Sequence, residues 1–353
     1  MQIITEYGRI DKVQWRRLVD ESPVATWFQT QESYDFFASL PGIMLPFVVA
    51  VSCETSVGGN QSSADSRQPS LKGLIVGYVT REKSTIKQFF TRRAIIIGGP
   101  LLAEDITDDE LRALLSTLDS KQLSTLNSQL STPIYIETRN FNDYSRWRNI
   151  FEQCGFAYQP HLNFHVDTTT IETAQANIGK HRWKYIRLSI RDGAELVEQP
   201  TIQQVREFYD ILHRLYVTKV HTPLFPWEFF EKLYYQKDAR YILVTYNEHI
   251  VGGTLCMCLQ DKALYEWFAC GDDTMYKGIR PSSVATWFGM RYAAENGYPL
   301  FDLMGAGKPD EPYGVRDFKA EFGGKLVEYG RFLCVAKPLL YNIGKVGVRL
   351  LKR

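Results

Sequence analysis

The sequence predicts an α+β fold made of two similar domains, each a mixed, mainly antiparallel sheet flanked by helices. Strand-like alternation and helix-like spacing of apolar residues follow one another along the whole chain. The same order of segments occurs twice: antiparallel strands, a long helix, a short strand ending in an acid, a loop, a helix, a glycine and a final strand. Glu137 and Asp302 are the matching acids, and Gly155 and Gly323 are the matching glycines. We therefore predict a duplicated domain.

The first half is predicted to begin with helices over 11–20 and 31–39, with Thr30 as the N-cap of the second. Residues 56–70, rich in Ser, Gly, Gln and Asp, predict a long hairpin loop between two strands. The other predicted elements are strands over 45–53, 71–80 and 93–98, a helix over 107–126, a strand over 134–138, a helix over 143–153 and a strand over 156–166.

The second half repeats this order after a basic helix over 180–191. The helix over 282–296 is predicted to end at Gly297 and Pro299. The other predicted elements are helices near 201–219 and 226–236, strands over 240–246, 250–260, 263–269 and 300–303, a helix over 315–322 and a strand over 326–335. Since a domain usually has roughly 100–200 residues, we expect two domains, 1–166 and 167–353.

The composition is typical of a globular protein, with 41 Lys and Arg against 40 Asp and Glu and 44% apolar residues. This balance argues against a dedicated nucleic-acid-binding protein, which usually carries a basic excess. The longest uncharged stretch, 36–53, is interrupted by Pro41, Gly42 and Pro46, so we predict no membrane span. The N-terminus has no signal-peptide pattern, and the six cysteines are scattered. We expect a cytoplasmic protein with reduced cysteines.

The sequence lacks the motifs of the commonest NTPases, hydrolases and metalloproteases. The sequence has no Walker A motif, no Gly-x-Ser-x-Gly elbow and no His-Glu-x-x-His motif. His161 and His165 lie on one predicted strand, roughly 13 Å apart at about 3.3 Å per residue, so we expect no shared metal. The stretch 305–308, Gly-Ala-Gly-Lys, resembles half of a dinucleotide fingerprint, but Pro309 follows where a helix with free N–H groups should begin. A flexible loop at a strand end is the simpler interpretation.

The region from Phe301 onward resembles a known family. Residues 301–303, Phe-Asp-Leu, are followed by a loop and by 318–323, Phe-Lys-Ala-Glu-Phe-Gly. This is similar to the closing signature of the FemAB family of peptidoglycan bridge-forming aminoacyltransferases, an acid-bearing strand and then Phe-Lys-x-x-Phe-Gly. Further segments similar to that family are 28–30, Phe-Gln-Thr, 98–101, Gly-Gly-Pro-Leu, and 187–193.

The resemblance implies two GNAT-like acyltransferase domains in tandem, with an acceptor cleft between or along them. In characterised relatives an aminoacyl-tRNA donates its amino acid to an amine of a peptidoglycan precursor. The implied partners are therefore a cell-envelope precursor as acceptor and aminoacyl-tRNA as donor, with no cofactor. The resemblance assigns to Lys319 the role of stabilising the tetrahedral intermediate. From spacing alone, Lys319 lies at the edge of the buried face of a short helix, where a surface lysine is the plainer alternative.

Four other side chains near this motif are candidates for the site. Asp302 would orient or deprotonate the acceptor amine, or would anchor the loop that follows it. Tyr265 and Trp267 present aromatic rings from one strand to either the core or a cleft, and Trp267 fits the core better. Tyr313, in the loop before Lys319, either faces a ligand or packs on its loop.

The stretch 276–283 decides the expected donor. A GNAT domain that uses acetyl-CoA holds the pyrophosphate on backbone N–H groups of this loop and on the helix after it. Pro281 lacks an N–H, and the small residues are displaced, so we expect weak binding of acetyl-CoA. Lys277 and Arg280 remain candidate phosphate ligands. A larger donor such as aminoacyl-tRNA is favoured.

One departure from the family concerns the binding of phosphates. Relatives that bind nucleotide-linked precursors use a lysine after the Phe-Gln-Thr-like segment, whereas 31–40 has no Lys or Arg. The precursor's phosphates would need another partner, and the candidates are Arg187, Arg191, Arg214 and Lys219.

The tail, 334–353, carries five basic residues and no acid, and its apolar residues recur at helical spacing. It predicts either peripheral contact with an anionic membrane or a terminal packing helix.

Three functions follow. The first is aminoacyl transfer to a peptidoglycan or other cell-envelope precursor. The alternative is a coenzyme-A-dependent N-acyltransferase, with acetyl-CoA or another acyl-CoA as donor, acting on an amino sugar or a surface polysaccharide precursor. The third is an inactive tandem domain that serves as a binding subunit, which would require Lys319 to lie away from any cleft.

Overall fold

The computed structural model describes residues 1–55, 68–82, 91–118, 132–276 and 278–351. The chain forms two compact units. Unit 1 contains Met1–Pro160 and Tyr329–Arg353, and unit 2 contains His161–Glu328. Most of the predicted hairpin loop over 56–70 and the end of the predicted helix over 107–126 lie outside the described residues.

The elements of residues 1–160 follow the predicted order, with two short strands, at Gln2–Ile4 and Leu101–Leu102, that the sequence did not predict. Thr30 caps its helix as predicted, since its Oγ1 accepts a hydrogen bond from Ser33 N at 3.2 Å. The helices are α1 (Lys12–Glu21), α2 (Gln31–Ala38), α3 (Asp108–Ser116) and α4 (Arg148–Gln153). The strands are β1 (Gln2–Ile4), β2 (Met44–Thr55), β3 (Gln68–Thr80), β4 (Ala94–Gly98), β5 (Leu101–Leu102), β6 (Tyr135–Asn140) and β7 (Ala157–Gln159).

The rest of the chain repeats this pattern. The strands are β8 (Leu162–Asp167), β9 (Glu195–Val197), β10 (Ala239–Tyr246), β11 (His249–Leu259), β12 (Ala263–Gly271), β13 (Leu300–Gly305), β14 (Lys325–Glu328) and β15 (Arg331–Val335). The helices are α5 (Ile171–Ala176), α6 (Lys180–Arg191), α7 (Ile202–Leu215), α8 (Trp227–Tyr234), α9 (Pro281–Glu295), α10 (Gly314–Ala320) and α11 (Pro338–Leu351), with a π-helix at Tyr216–Val220.

The two sheets have the same strand order, which confirms the predicted α+β class. The sheet of unit 1 runs β1-β2-β3-β4-β6-β15-β7, with β5 paired to β3. The sheet of unit 2 runs β9-β10-β11-β12-β13-β8-β14. Among the described strands, each sheet has a single parallel pair, β4 with β6 and β12 with β13. The two halves are therefore copies of one mixed, mainly antiparallel fold.

The sixth strand of each sheet comes from the other half of the sequence. β15 lies between β6 and β7, and β8 lies between β13 and β14. The predicted strand over 156–166 is thus two strands separated at Pro160, and the predicted strand over 326–335 is two strands separated at Gly330. The structure consequently divides the chain differently from the predicted 1–166 and 167–353. An alternating pattern of apolar residues identifies a segment as a strand. It does not identify the strand with which that segment pairs.

Each sheet packs against its long helix. In unit 1, Leu111, Leu114 and Leu115 of α3 are buried, as their spacing predicts. In unit 2, α9 is buried along most of its length, and Gly289 lets it approach the ring of Phe301, which a Cβ at Gly289 would meet at 2.9 Å. This close approach brings Thr286 of α9 to the sheet.

The chain's cysteines and helices bear on two further expectations. All six cysteines are free in the structure. Across the described residues, no helix has both the length and the apolar character needed to cross a bilayer.

Candidate active site

Lys319 points into unit 2 from the last turn of α10. Phe322, which follows the helix, is fully buried and lies with its ring 5.1 Å from that of Phe318. Lys319 Nζ donates hydrogen bonds to the carbonyl oxygens of Leu303 at 2.5 Å and Gly305 at 2.9 Å. The Lys319 ammonium is therefore held against β13 and does not extend into solvent as a surface lysine would.

These two carbonyl groups belong to the part of β13 that has separated from β12. The parallel pairing covers only Ala263–Tyr265 and Leu300–Asp302, while β12 continues to Gly271 beside β11. Met304 has a positive φ of 58°, which is uncommon for a residue other than glycine. The backbone therefore turns at this point, and Lys319 binds the carbonyl groups on either side of the turn.

Glu266 is the first residue of β12 beyond the paired segment, and its side chain is buried. It accepts a hydrogen bond from Thr286 Oγ1 at 3.1 Å. Burial raises the pKa of Glu266 to about 7, although the Lys319 ammonium and the threonine hydroxyl groups favour its charged form. The sequence did not predict Glu266 as a site residue. The signal that could have identified it is its position as the one charged residue in the otherwise apolar run 263–271.

Lys319 and Glu266 influence each other electrostatically. Burial lowers the pKa of Lys319, and the carboxylates of Glu266 and Asp302 partly oppose that change. Both groups are thus shifted toward their neutral forms. Buried groups with such shifts are characteristic of proton-transfer sites.

Asp302 lies on β13 opposite His165 of β8. Its Oδ2 is 3.3 Å from His165 Nε2, and its Oδ1 accepts a hydrogen bond from Met304 N at 2.6 Å. The second contact is the loop anchor that was one of the two predicted roles. The first places at the site a histidine for which the sequence suggested no role beyond metal binding. The described residues contain no cluster of three or more metal-ligating side chains.

The three predicted aromatic residues have different surroundings. Tyr265 is buried beside Asp302 in the parallel pair, and burial raises its pKa above the ordinary value. Trp267 packs edge-on against Phe229, with ring centroids 5.3 Å apart. The exposed Tyr313 packs its ring over Gly307, where a Cβ would come within 2.8 Å. Tyr265 is thus the one that lies beside Asp302, whose carboxylate influences the pKa of Lys319.

The predicted phosphate ligands form no cluster with Lys319 among the residues that the structure describes. Arg187 is exposed on α6, and Lys219 is exposed on the π-helix. Arg280 precedes α9 and lies 5.8 Å from the ring of Tyr185. Lys277 lies outside the described residues.

The other two arginines considered as phosphate ligands form ion pairs. Arg191 Nη2 is 2.8 Å from Asp192 Oδ1. Arg214 Nη2 is 2.5 Å from Asp272 Oδ2. Both carboxylates would compete with a bound phosphate.

The N-terminus of α9 is occupied by an acid. Asp273 accepts hydrogen bonds from Ser282 N at 3.2 Å and from Ser282 Oγ at 2.5 Å. In unit 1, the equivalent helix α3 begins with Asp108, Asp109 and Glu110. A helix N-terminus attracts anions, and in both units carboxylates already occupy or surround it.

The comparisons with known proteins agree with this fold. Residues 232–346 match the FemAB family. A solved structure of FemX aligns over 97% of this chain and 99% of its own, with a TM-score of 0.67 and 13% identity. A tandem GNAT protein from the clavulanic acid biosynthesis pathway aligns over 95% and 98%, with a TM-score of 0.55 and 9% identity. No curated protein matches the sequence.

A third solved structure, a conserved protein of unknown function from Bacteroides thetaiotaomicron, aligns over 94% of this chain and 99% of its own, with a TM-score of 0.51 and 10% identity. At such identities the structural likeness establishes the fold, while the FemAB match covers the segment that contains Lys319, Glu266 and Asp302. Residues 232–346 are thus similar to the FemAB family, and the chain as a whole has the fold of these solved structures.

Proposed function

We propose that the chain transfers an aminoacyl group from aminoacyl-tRNA to an amine of a peptidoglycan or other cell-envelope precursor. The observation that carries the proposal is the position of Lys319, held by two backbone carbonyl groups where β12 and β13 separate. The gap between these strands would receive the acyl group. Lys319 and Glu266 both border that gap.

The chemistry needs an oxyanion partner and a proton acceptor. An ammonium has three N–H donors, and Lys319 uses two of them on Leu303 and Gly305. The third would stabilise the oxyanion of the tetrahedral intermediate. Glu266, with a pKa of about 7, would accept a proton from the attacking amine. A nitrogen–carbon bond forms, the ester bond to the tRNA ribose breaks, and the proton passes to the ribose hydroxyl group.

The helix termini favour aminoacyl-tRNA over an acyl-CoA as donor. The pyrophosphate of coenzyme A would need the free N–H groups at the start of α9 or α3. Asp273 accepts from Ser282 N in unit 2, and three acids crowd the first turn in unit 1. A pyrophosphate placed there would be repelled by these carboxylates.

The central experiment is aminoacyl transfer from a charged tRNA pool to a cell-envelope precursor extract. The wild-type chain should produce an aminoacylated precursor, and Lys319→Ala should not. Lys325→Ala is the matched control, because Lys325 is an exposed lysine six residues away. Equal product from Lys319→Ala and the wild type would refute the assigned mechanism.

The alternative function is acyl transfer from acetyl-CoA or another acyl-CoA to an amino sugar or polysaccharide precursor. Isothermal titration with acetyl-CoA separates the two functions. We expect no saturable binding below millimolar concentration. Micromolar binding would favour the alternative and would show that Asp273 does not block the N-terminus of α9.

We also propose that α11 contacts an anionic membrane on the cytoplasmic side. Tyr341 packs on Tyr135, with ring centroids 5.4 Å apart, whereas Leu339 and Ile343 are 82% and 58% exposed. The tail 334–353 has five basic residues and no acid. An exposed apolar face with basic neighbours is typical of helices that lie on anionic bilayers.

Vesicle sedimentation tests this contact. The chain should sediment with vesicles containing phosphatidylglycerol and stay in solution with pure phosphatidylcholine. The double variant Leu339→Glu with Ile343→Glu should lose binding, and Val13→Glu, at an exposed position on α1, should keep it. Binding that survives the double variant would exclude α11 as the contact.

A further inference from the structure

Unit 1 has its own buried charged cluster at the position that corresponds to Asp302. Glu137 is the third residue of β6, as Asp302 is the third residue of β13, and these strands hold the same place in their sheets. In unit 2 the neighbour of Asp302 is a histidine. In unit 1 the neighbours of Glu137 are arginines.

Two guanidinium groups converge on the one carboxylate. Arg139 Nε is 3.1 Å from Glu137 Oε2, and Arg331 Nη1 is 2.7 Å from Glu137 Oε1. Each arginine thus uses one of the two carboxylate oxygens. The cluster carries one positive charge in excess.

The two arginines carry more positive charge than the one carboxylate neutralises. Arg139 and Arg331 are directly opposite each other on β6 and β15, and like charges in that relationship are destabilising. Burial lowers the pKa of Arg331, whereas Glu137 raises the pKa of Arg139 against the effect of burial. The two arginines also lower the pKa of Glu137 to about 2 against the effect of burial, so that carboxylate is already fully ionised.

Both arginines are partly exposed. Their side chains remain 34% and 26% exposed for Arg139 and Arg331, although the carboxylate between them is nearly covered. Arg139 binds Glu137 through Nε, and the described residues give its two terminal amino groups no acceptor. A guanidinium with free terminal amino groups is suited to bidentate binding of a carboxylate or phosphate.

We propose that Arg139 and Arg331 form an oxyanion-binding subsite in unit 1 for a phosphate or carboxylate group. Binding of such an anion requires no turnover and is tested separately from the proposed function. Duplication has thus left one copy with the lysine site and the other with an anion site at the matching strand.

Calorimetric titration of the full chain with inorganic phosphate and, separately, with acetate tests the subsite. Ionic strength is kept constant with sodium chloride so that general screening does not change. We expect saturable binding of at least one anion, and the stronger binder identifies the group. Arg139→Gln should weaken it at least 10-fold. Arg17→Gln, which removes an exposed arginine paired to Glu21, should leave it unchanged.

Arg139→Lys keeps the charge and protects the test against misfolding. It should weaken binding at least 3-fold, since lysine cannot bind an oxyanion in a bidentate manner. Absence of saturable binding in the wild type, or equal affinity in Arg139→Gln, would overturn the proposal.

Discussion

Lys319 is bound to Leu303, with its Nζ 2.5 Å from the carbonyl oxygen at the point where β13 leaves β12. Neutral backbone oxygen atoms, rather than a carboxylate, are its hydrogen-bond acceptors. The positive charge is therefore positioned without being neutralised by its own ligands. Such a charge is able to stabilise negative charge that develops beside it.

Lys319→Met should abolish most of the activity. Loss of a single oxyanion donor typically lowers kcat by about 10²–10³-fold. The variant also leaves the carbonyl groups of Leu303 and Gly305 without this donor, which costs about 1–3 kcal/mol of folding stability. Steady-state kinetics and thermal unfolding measure the two effects, with Lys325→Met as control. A stable variant with unchanged kcat would exclude Lys319 from the reaction.

Glu266→Gln should change the pH dependence of the reaction. The carboxylate form is the proton acceptor, and its pKa is about 7. The wild-type kcat should therefore fall as pH decreases through about 7. The variant should have a low kcat with no transition near that pH. A transition that persists in Glu266→Gln would assign it to another group.

The raised pKa of Glu266 also makes the free energy of unfolding depend on pH. Glu266 has a folded pKa of about 7, above its ordinary value of 4.5, so the folded state favours the protonated acid. Its contribution is complete below pH 4.5 and is lost as pH rises toward 7, by about 1.4 kcal/mol for each unit of pKa difference. Urea unfolding at several pH values should show this decline in the wild type. It should be absent in Glu266→Gln.

The sequence predicted the repeated order of elements because each helix and strand carries its own local signal. Thr30 and the leucines of α3 are where their spacing places them. The exchange of β8 and β15 was not predictable, since nothing in the alternation of 156–166 or 326–335 identifies the neighbouring strand. Glu266 was missed because its buried position depends on tertiary contacts, such as that with Thr286 of α9, which is distant in sequence.

Glu137→Gln should destabilise unit 1. Removing the shared carboxylate leaves Arg139 and Arg331 facing each other, and breaking a buried ion pair from one side costs about 3–5 kcal/mol. The folded pKa of about 2 lies below the ordinary 4.5, so this contribution is present above pH 4.5 and is lost as pH falls toward 2. Chemical denaturation at pH 7 and pH 3 measures the difference.

The control for Glu137→Gln is Glu32→Gln, which breaks a more exposed ion pair with Arg16. It should cost less than about 1 kcal/mol. If the two variants had equal free energies of unfolding at pH 7, the cluster around Glu137 would have no special role in stability.

Gly330→Ala should destabilise the connection between β14 and β15. Gly330 has a φ of 65°, and a Cβ there would come within 2.3 Å of the Tyr158 ring. A strained backbone conformation costs about 1–3 kcal/mol, and the collision adds to it. Gly8→Ala is the control, because a Cβ at Gly8 has no neighbour within 4 Å. Thermal unfolding should show a lower midpoint for Gly330→Ala only.

The two causes can be separated in the background of Tyr158→Ala. Removing the ring eliminates the collision and leaves the positive φ, so Gly330→Ala should cost less in that background than in the wild type. The remaining cost reports the backbone strain alone. If Gly330→Ala is neutral in both backgrounds, the chain can pass from β14 to β15 with an ordinary backbone conformation. In that case glycine is not required at position 330, where the chain passes from the sheet that contains β14 to the sheet that contains β15.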